Sequence, residues 1–229
     1  MNTDPVYPNA HITVDQVSRD AEVVAYLHAA NEMMKGLGYT EHGERHANLV
    51  ANIAFNVLNR LEYPARQAEL AAISGYLHDA GNLIHRENHT ISGAILAREV
   101  LRRMNMLYDE IALVMGAIGN HEEPGGVPIN PMTAAVILAD KADVHTSRVQ
   151  NPDPHTFDIH DRVNHAVQRS FLRVDATGKA ITLELDIDTT DSSVSDYFEI
   201  FLTRMILCRR AAQFLGCQFS LVINNNRVM

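Results

Sequence analysis

Residues 70–81 read LAAISGYLHDAG, an apolar run that ends on an adjacent histidine and aspartate. Apolar residues at almost every position predict a helix in the interior of a helical bundle. His78 and Asp79 therefore end a helix that is expected to be buried. A carboxylate in such a position is costly in free energy unless it is paired or bound to a metal. This stretch predicts a helical fold built around a polar site.

Four further helical segments each carry one histidine or aspartate on their apolar face. His46 shares a face with Val50 and Ile53, because residues four and seven positions apart lie on the same side of a helix. Any such residue alone is more often a structural polar group than a ligand. Imidazoles and carboxylates that converge from several helices are the ligands that a divalent transition metal requires, so the set predicts a metal centre. The other three members are His89, His121 and Asp140.

The composition is that of a globular protein, with 46 % apolar and 21 % charged residues in a chain of 229. A net charge of −9 argues against a protein that coats nucleic acid. No apolar run approaches the roughly 18 residues of a membrane span, and residues 1–20 lack the apolar core of a signal peptide. We therefore expect a cytoplasmic protein without membrane attachment. Cys208 and Cys217 form no CxxC, so neither a disulfide framework nor a structural zinc site is expected.

Two patterns follow each other along the chain. Helical periodicity predicts helices at about 14–37, 43–62, 64–79, 88–104, 108–120 and 130–148, and a seventh after Asp158. Alternating arms at 171–175 and 180–187 predict a β-hairpin, and a helix at 193–215 and a strand at 217–223 follow. The predicted fold is mainly α: a helical bundle over residues 1–168 and a small ββαβ appendage over residues 169–229, α+β as a whole.

The predicted helix at 193–215 is apolar over more than half of its surface. A helix of this kind must be buried, so we expect the appendage to pack on the bundle or at the interface of a homodimer. Light scattering at the mass of one chain, 25.5 kDa, would contradict the homodimer.

The ordered set His46, His78-Asp79, His89, His121 and Asp140 resembles the HD superfamily of metal-dependent phosphohydrolases, over about residues 40–150. The resemblance implies an HD-domain helical bundle that hydrolyses a small phosphorylated substrate, such as a nucleotide. It also implies that His46, His78, Asp79 and Asp140 hold one metal, while Asp79 bridges to a second metal held by His89 and His121. The mixed nitrogen and oxygen ligands favour Fe or Mn, with Zn, Co or Ni as alternatives, at one or two ions per chain.

Three residues are candidates for catalysis. Asp79 would act as the bridging ligand. His42, one turn before His46, is either an outer ligand or proton shuttle or simply a loop histidine. Lys141 directly follows Asp140 and is the cation that we expect to contact phosphate. Further candidate cations, each more often a solvated surface charge, are Arg45, Arg86 and Arg148.

The second half of the motif is similar to the HD-GYP branch, which cleaves cyclic di-GMP, but departs from it at three places. Asn82 replaces the lysine of HDxGK, Asn120 replaces the first of two histidines, and residues 126–128 read GVP instead of GYP. These departures argue against cyclic di-GMP as the substrate and leave one ligand of the second metal unassigned.

Two other functions fit the same residues. The order of the six also resembles the ligand set of HD-fold di-iron oxygenases of the myo-inositol oxygenase type, and spacing cannot separate the two chemistries. The departures at Asn82 and Asn120 would also suit a non-catalytic HD domain that senses a nucleotide.

Overall fold

The computed structural model describes residues 11–229 and contains nine α-helices and one four-stranded sheet in that range. The prediction about the N-terminal leader falls in part on residues 1–10, which lie outside the described residues. The helices are α1 Val14–Ser18, α2 Ala21–Gly36, α3 Glu44–Arg60, α4 Ala65–Leu77, α5 His89–Arg103, α6 Tyr108–Gly119, α7 Pro131–Lys141, α8 Ile159–Ala166 and α9 Val194–Phe214. The strands are β1 Val167–Asp175, β2 Ala180–Ile187, β3 Gln218–Ile223 and β4 Asn226–Arg227. The predicted fold class, mainly α with a small α+β part, is confirmed.

Helix α7 lies at the centre of the molecule. Every residue from Met132 to Lys141 is buried, and the helix packs against α3, α4, α6 and α9. Asn130 starts it by accepting a hydrogen bond from Thr133 N, and Pro131 occupies the first turn, where no backbone N–H is needed. Since α7 is surrounded on all sides, the polar residues at its end are buried as well.

Two predicted helices end earlier than their periodicity suggests. The predicted helix at 14–37 is divided into α1 and α2, because the Asp20 side chain accepts hydrogen bonds from Glu22 N and Val23 N and starts a new helix. The predicted helix at 130–148 ends at Lys141. Beyond it the chain turns so that Asp143 reaches His46, and a short 3-10 turn covers Thr146–Arg148.

The sheet has the order β1-β2-β3-β4. β1 and β2 form the predicted antiparallel hairpin, and β3 returns after α9 to pair parallel with β2. Alternate residues of β2 are buried, and α9 packs against β2 and β3. The predicted division after residue 168 falls inside β1, and the apolar core runs from the bundle into the sheet.

Helix α9 lies between the sheet and α7. Its apolar face is therefore covered within one chain, and Leu202 and Phe214 are its exposed large apolar residues. The homodimer stays a prediction, since burial of α9 no longer requires a second copy. In the part of the chain that the structure describes, no helix combines the length and the apolarity that crossing a membrane demands.

Candidate metal centre

The first ligand set is formed where α3, the end of α4 and α7 meet. The Nε2 atoms of His46 and His78 lie 3.2 Å apart. Asp140 Oδ1 lies 3.4 Å from His46 Nε2 and 3.7 Å from His78 Nε2. Asp79 Oδ2 lies 3.5 Å and 3.2 Å from the same two nitrogens. All four residues are buried, and the ligand atoms of His46, His78 and Asp140 have the spacing of a metal-binding group.

The second set lies on the other side of Asp79. Asp79 Oδ1 lies 3.4 Å from His89 Nε2, and Glu122 Oε2 lies 3.8 Å from that nitrogen and 3.7 Å from His121 Nε2. His89, His121 and Glu122 together have the spacing of a metal-binding group, as do His78, Asp79 and His121. The two carboxylate oxygens of Asp79 thus face different sets.

Glu122 is the member of the second set that the sequence did not predict. It follows His121 in the loop after α6, so helical periodicity gives no direction for its side chain. Its adjacency to a predicted ligand was the available signal. The structure brings it to the second set, in which the sequence leaves one ligand unassigned.

Each of the four histidines in the two sets places its Nδ1 against an oxygen atom of the protein. In three of them Nδ1 contacts the carbonyl oxygen three residues earlier: His78 to Gly75 at 2.7 Å, His89 to Arg86 at 3.0 Å and His121 to Ile118 at 2.7 Å. In His46, Nδ1 contacts Asp143 Oδ2 at 2.7 Å. A carbonyl or carboxylate accepts from Nδ1–H, which directs Nε2 inwards as the atom available to a metal.

His121 Nε2 gives a direct test of whether these residues suit a metal. It is buried, and within residues 11–229 it has no hydrogen-bond partner. A buried nitrogen without a partner is unfavourable unless something else satisfies it. Since the carboxylates nearby offer no proton when ionised, a cation fits this donor set.

Asp143 supports the first set from outside. Besides His46, it accepts from Arg45 Nη2 at 2.7 Å. Burial raises the pKa of Asp143, but Arg148, His46 and Arg45 outweigh it and hold the pKa well below its usual range. The side chain of Arg148 donates to the backbone oxygens of Asp143 and Glu41. Arg45 and Arg148, two of the candidate phosphate contacts, thus have protein partners.

Lys141 lies between the two sets. Its Nζ contacts Asp140 Oδ2 at 2.7 Å, Glu123 Oε2 at 3.0 Å and Glu122 Oε2 at 3.3 Å, and the side chain is 1 % exposed. Burial lowers the pKa of Lys141, but these three carboxylates raise it well above its usual range. Burial likewise raises the pKa of Glu122, while Lys141 and Arg86 lower it to about 2. Lys141 thus orients one carboxylate of each set.

Two asparagines mark the departures from the HD-GYP pattern. Asn82 Nδ2 donates to Asp79 Oδ1 at 3.0 Å, so it helps to orient the carboxylate shared by the two sets. Asn120 Nδ2 donates to Gly116 O at 3.0 Å and ends α6. Neither side chain supplies an imidazole or an ammonium group to the site.

His42 lies beside the first set. Its ring centroid is 5.6 Å from that of His46, and its Nδ1 contacts Thr40 O at 2.5 Å. Burial, and to a smaller extent the positive charge of Arg148, hold the pKa of His42 well below its usual range. The ring is therefore neutral with Nε2 as a hydrogen-bond acceptor.

A cavity of about 360 Å³ opens onto both sets. The three predicted catalytic residues, Asp79, His42 and Lys141, all line it. Another part of the wall comes from α8 and α9, a region that the sequence pattern does not connect with the site. The other residues that line the cavity are Leu37, Gly38, Tyr39, Thr40, Arg86, Glu122, Asp140, Arg148, Asp158, His160, Asn164, Phe201 and Arg204.

Comparison with known proteins gives two findings. Residues 41–147 match the family model described as HD domain, which confirms the resemblance seen in the sequence. The chain is also similar to an uncharacterized protein of Methanocaldococcus jannaschii, at 26 % identity over 178 residues that cover 68 % of each chain. The matched family segment includes all the residues of both ligand sets.

Proposed function

We propose that this chain, in which residues 41–147 are an HD domain, is a metal-dependent phosphohydrolase that cleaves a small phosphate ester. One observation carries the proposal. The two carboxylate oxygens of Asp79 face two separate groups of imidazole and carboxylate ligands at the floor of a cavity. A ligand shared in this way is typical of a centre for two divalent ions.

The residues divide into two ligand groups. His46, His78, Asp79 and Asp140 would hold one ion. Asp79, His89, His121 and Glu122 would hold the other. The mix of imidazole and carboxylate favours Fe or Mn, with Zn, Co or Ni as alternatives. When bound, such a pair supplies Lewis acidity, which polarises phosphoryl oxygens and lowers the pKa of water.

Several side chains of this chain would prepare that chemistry. Asn82 holds the carboxylate of Asp79 in place through a hydrogen bond, and Lys141 holds that of Asp140 through an ion pair. His42 presents a neutral Nε2 to the cavity, because its Nδ1–H donates to Thr40 O. In this position His42 can orient a water beside the reacting group, while its lowered pKa makes it a weak proton acceptor.

The size of the cavity supports a small substrate. A volume of about 360 Å³ lies near the lower end for small-molecule sites, which run from about 300 to 1,000 Å³. A mononucleotide or a phosphorylated metabolite of similar size agrees with that volume. The replacements at Asn82 and Asn120 agree with a substrate other than cyclic di-GMP.

The test is release of phosphate from a panel of nucleotides and simple phosphate monoesters and diesters. The assay is run without oxygen, with Mn(II) or Fe(II), beside Asp79→Ala as the blank. Turnover that disappears in the variant supports a hydrolase and identifies the class of ester. Oxygen consumption with a polyol or a phosphonate, and no hydrolysis, would instead support the di-iron oxygenase. Tight binding of a nucleotide with neither metal nor turnover would support a sensor.

A further inference from the structure

Among residues 11–229, four cationic side chains line the cavity, and three of them have donors that protein groups already occupy. Lys141 Nζ contacts three carboxylates. The guanidinium of Arg148 donates through Nε, Nη1 and Nη2 to backbone oxygens. Arg86 Nη1 contacts Asn82 Oδ1 at 3.4 Å and its Nη2 contacts Glu122 Oε1 at 2.7 Å. These cations orient the site and have little left to offer a ligand.

Arg204 of α9 is different. Its Nε donates to Glu123 Oε1 at 2.8 Å, and its guanidinium carbon lies 4.6 Å from the centroid of the Phe201 ring. Within the described residues, neither Nη1 nor Nη2 of Arg204 has a hydrogen-bond partner. The side chain is 23 % exposed and lines the cavity. Two free donors of one guanidinium are thus available to a bound molecule.

Arg204 is linked to the metal centre through Glu123 and Lys141. Glu123 bridges Arg204 to Lys141 through its two oxygens, and Lys141 contacts Asp140 and Glu122. Arg204 is therefore one ion pair further out than Lys141. A group bound to its Nη atoms would belong to the part of the substrate that extends away from the ligand sets.

We propose that Arg204 binds an anionic group that the substrate carries in addition to its phosphoryl group at the metal centre. This inference rests on the proposed function. The planar fork of a guanidinium matches a carboxylate or a phosphate with two parallel hydrogen bonds. The Nε contact to Glu123 and the stacking on Phe201 fix the plane of that fork before the substrate arrives. The preferred substrate is thus a phosphate ester with a second carboxylate or phosphate.

The experiment measures binding by calorimetry to the Mn(II)-loaded protein, without turnover. Methylphosphonate, with no second anionic group, is the reference ligand. Phosphonoacetate and 3-phosphonopropionate add a carboxylate at two spacings, and methylenediphosphonate adds a second phosphonate. We expect at least one of these three to bind wild type about tenfold more tightly than methylphosphonate, as charge-assisted hydrogen bonds would give. Arg204→Met should remove that preference and leave methylphosphonate unchanged.

Two other variants make the result decisive. Arg209→Met, an exposed arginine of the same helix, should keep the preference. Arg204→Gln can still donate to Glu123 and serves if the methionine variant loses its fold or its metal, as judged by circular dichroism and metal content. The proposal is overturned if a folded Arg204 variant keeps the preference, if it weakens methylphosphonate equally, or if no second anionic group improves binding to wild type. Since binding is measured without hydrolysis, these outcomes are distinct from a failure to cleave any ester.

Discussion

Asp79 is the residue on which both ligand sets depend. Its Oδ2 lies 3.2 Å from His78 Nε2 and its Oδ1 lies 3.4 Å from His89 Nε2. We expect Asp79→Ala to remove bound metal from both sets, because each loses a carboxylate ligand. Metal content by mass spectrometry after dialysis should fall from up to two ions per chain to none. Full metal content in this variant would show that Asp79 does not bridge.

His89→Ala provides the matched comparison, since it changes one set only. If two ions bind, this variant should keep one and lose the other. His85, an exposed histidine four positions earlier, supplies the control, and His85→Ala should keep the wild-type content.

The protonation of His46 and His78 in the metal-free protein predicts how metal binding depends on pH. Burial lowers the pKa of His46 and His78, but the neighbouring aspartates outweigh it and raise the two values to about 9 and about 10 in the metal-free protein. These values lie above the roughly 6.5 of an unfolded histidine. The protons therefore stabilise the metal-free fold below about pH 6.5, and this contribution is lost as pH rises through 9 and 10.

A bound metal must displace the same protons. We expect the increase in melting temperature on adding Mn(II) to grow from pH 6.5 to pH 9, while the metal-free protein loses stability over that range. Calorimetric scans with and without the metal measure this difference. An increase in melting temperature that shrinks with pH would contradict the prediction.

The sequence allows six members of the two sets to be found because each lies on, or at the end of, a strongly periodic helix. The structure brings these six together, and their role as ligands stays a prediction. Glu122 and Arg204 could not be found in the same way. Glu122 follows the end of α6, where no period applies. Arg204 reaches the cavity only because α9 packs beside α7, which is a long-range contact that local pattern does not encode.

At the scale of elements, the contact between the turn after His78-Asp79 and α5 positions the second set. A Cβ atom on Gly81 would lie 2.0 Å from His89 O and 2.5 Å from Gly93 N. Only glycine allows the two backbones to approach this closely. The close approach brings His89 towards Asp79.

We therefore expect Gly81→Ala to destabilise the protein by about 3 kcal/mol, because backbone must shift to accept the methyl group. This corresponds to a fall of about 10 °C in melting temperature for a chain of this size. Gly36→Ala is the control, since a Cβ atom there meets nothing within 4 Å. It should be neutral or stabilising by less than about 1 kcal/mol. Equal melting temperatures for the two variants would contradict the tight contact at Gly81.

Several helices and strands can be predicted from local sequence pattern alone. Amphipathic periodicity predicts α3 to α6 and the hairpin of β1 and β2 within a few residues, since each buries one face. It overextends α7, whose apolar period continues past Lys141 to Val144 although the chain there turns to bring Asp143 to His46. A tertiary contact of one buried carboxylate thus overrides the helical pattern.

At the scale of the whole molecule, the bundle and the C-terminal sheet share one core. α9 contributes the buried side chains of Tyr197, Phe201 and Met205, and the helix packs against both α7 and the sheet. We expect a single cooperative unfolding transition, with coincident midpoints by far-ultraviolet circular dichroism and by calorimetry. The absence of tryptophan makes intrinsic fluorescence a poor probe. Two separated transitions would show that residues 1–168 and 169–229 fold as independent units.

The three histidines that contact a carbonyl oxygen three residues earlier have a consequence for how the site can change over generations. Every residue has a peptide carbonyl, whatever its side chain. The orientation of His78, His89 and His121 is therefore kept when the residues that supply these carbonyl oxygens are substituted. His46 relies on the Asp143 side chain, which a single-nucleotide change can delete. Random substitution would therefore disturb the orientation of the first ligand set before that of the second. The substituted residue, Asp143, belongs to neither ligand set.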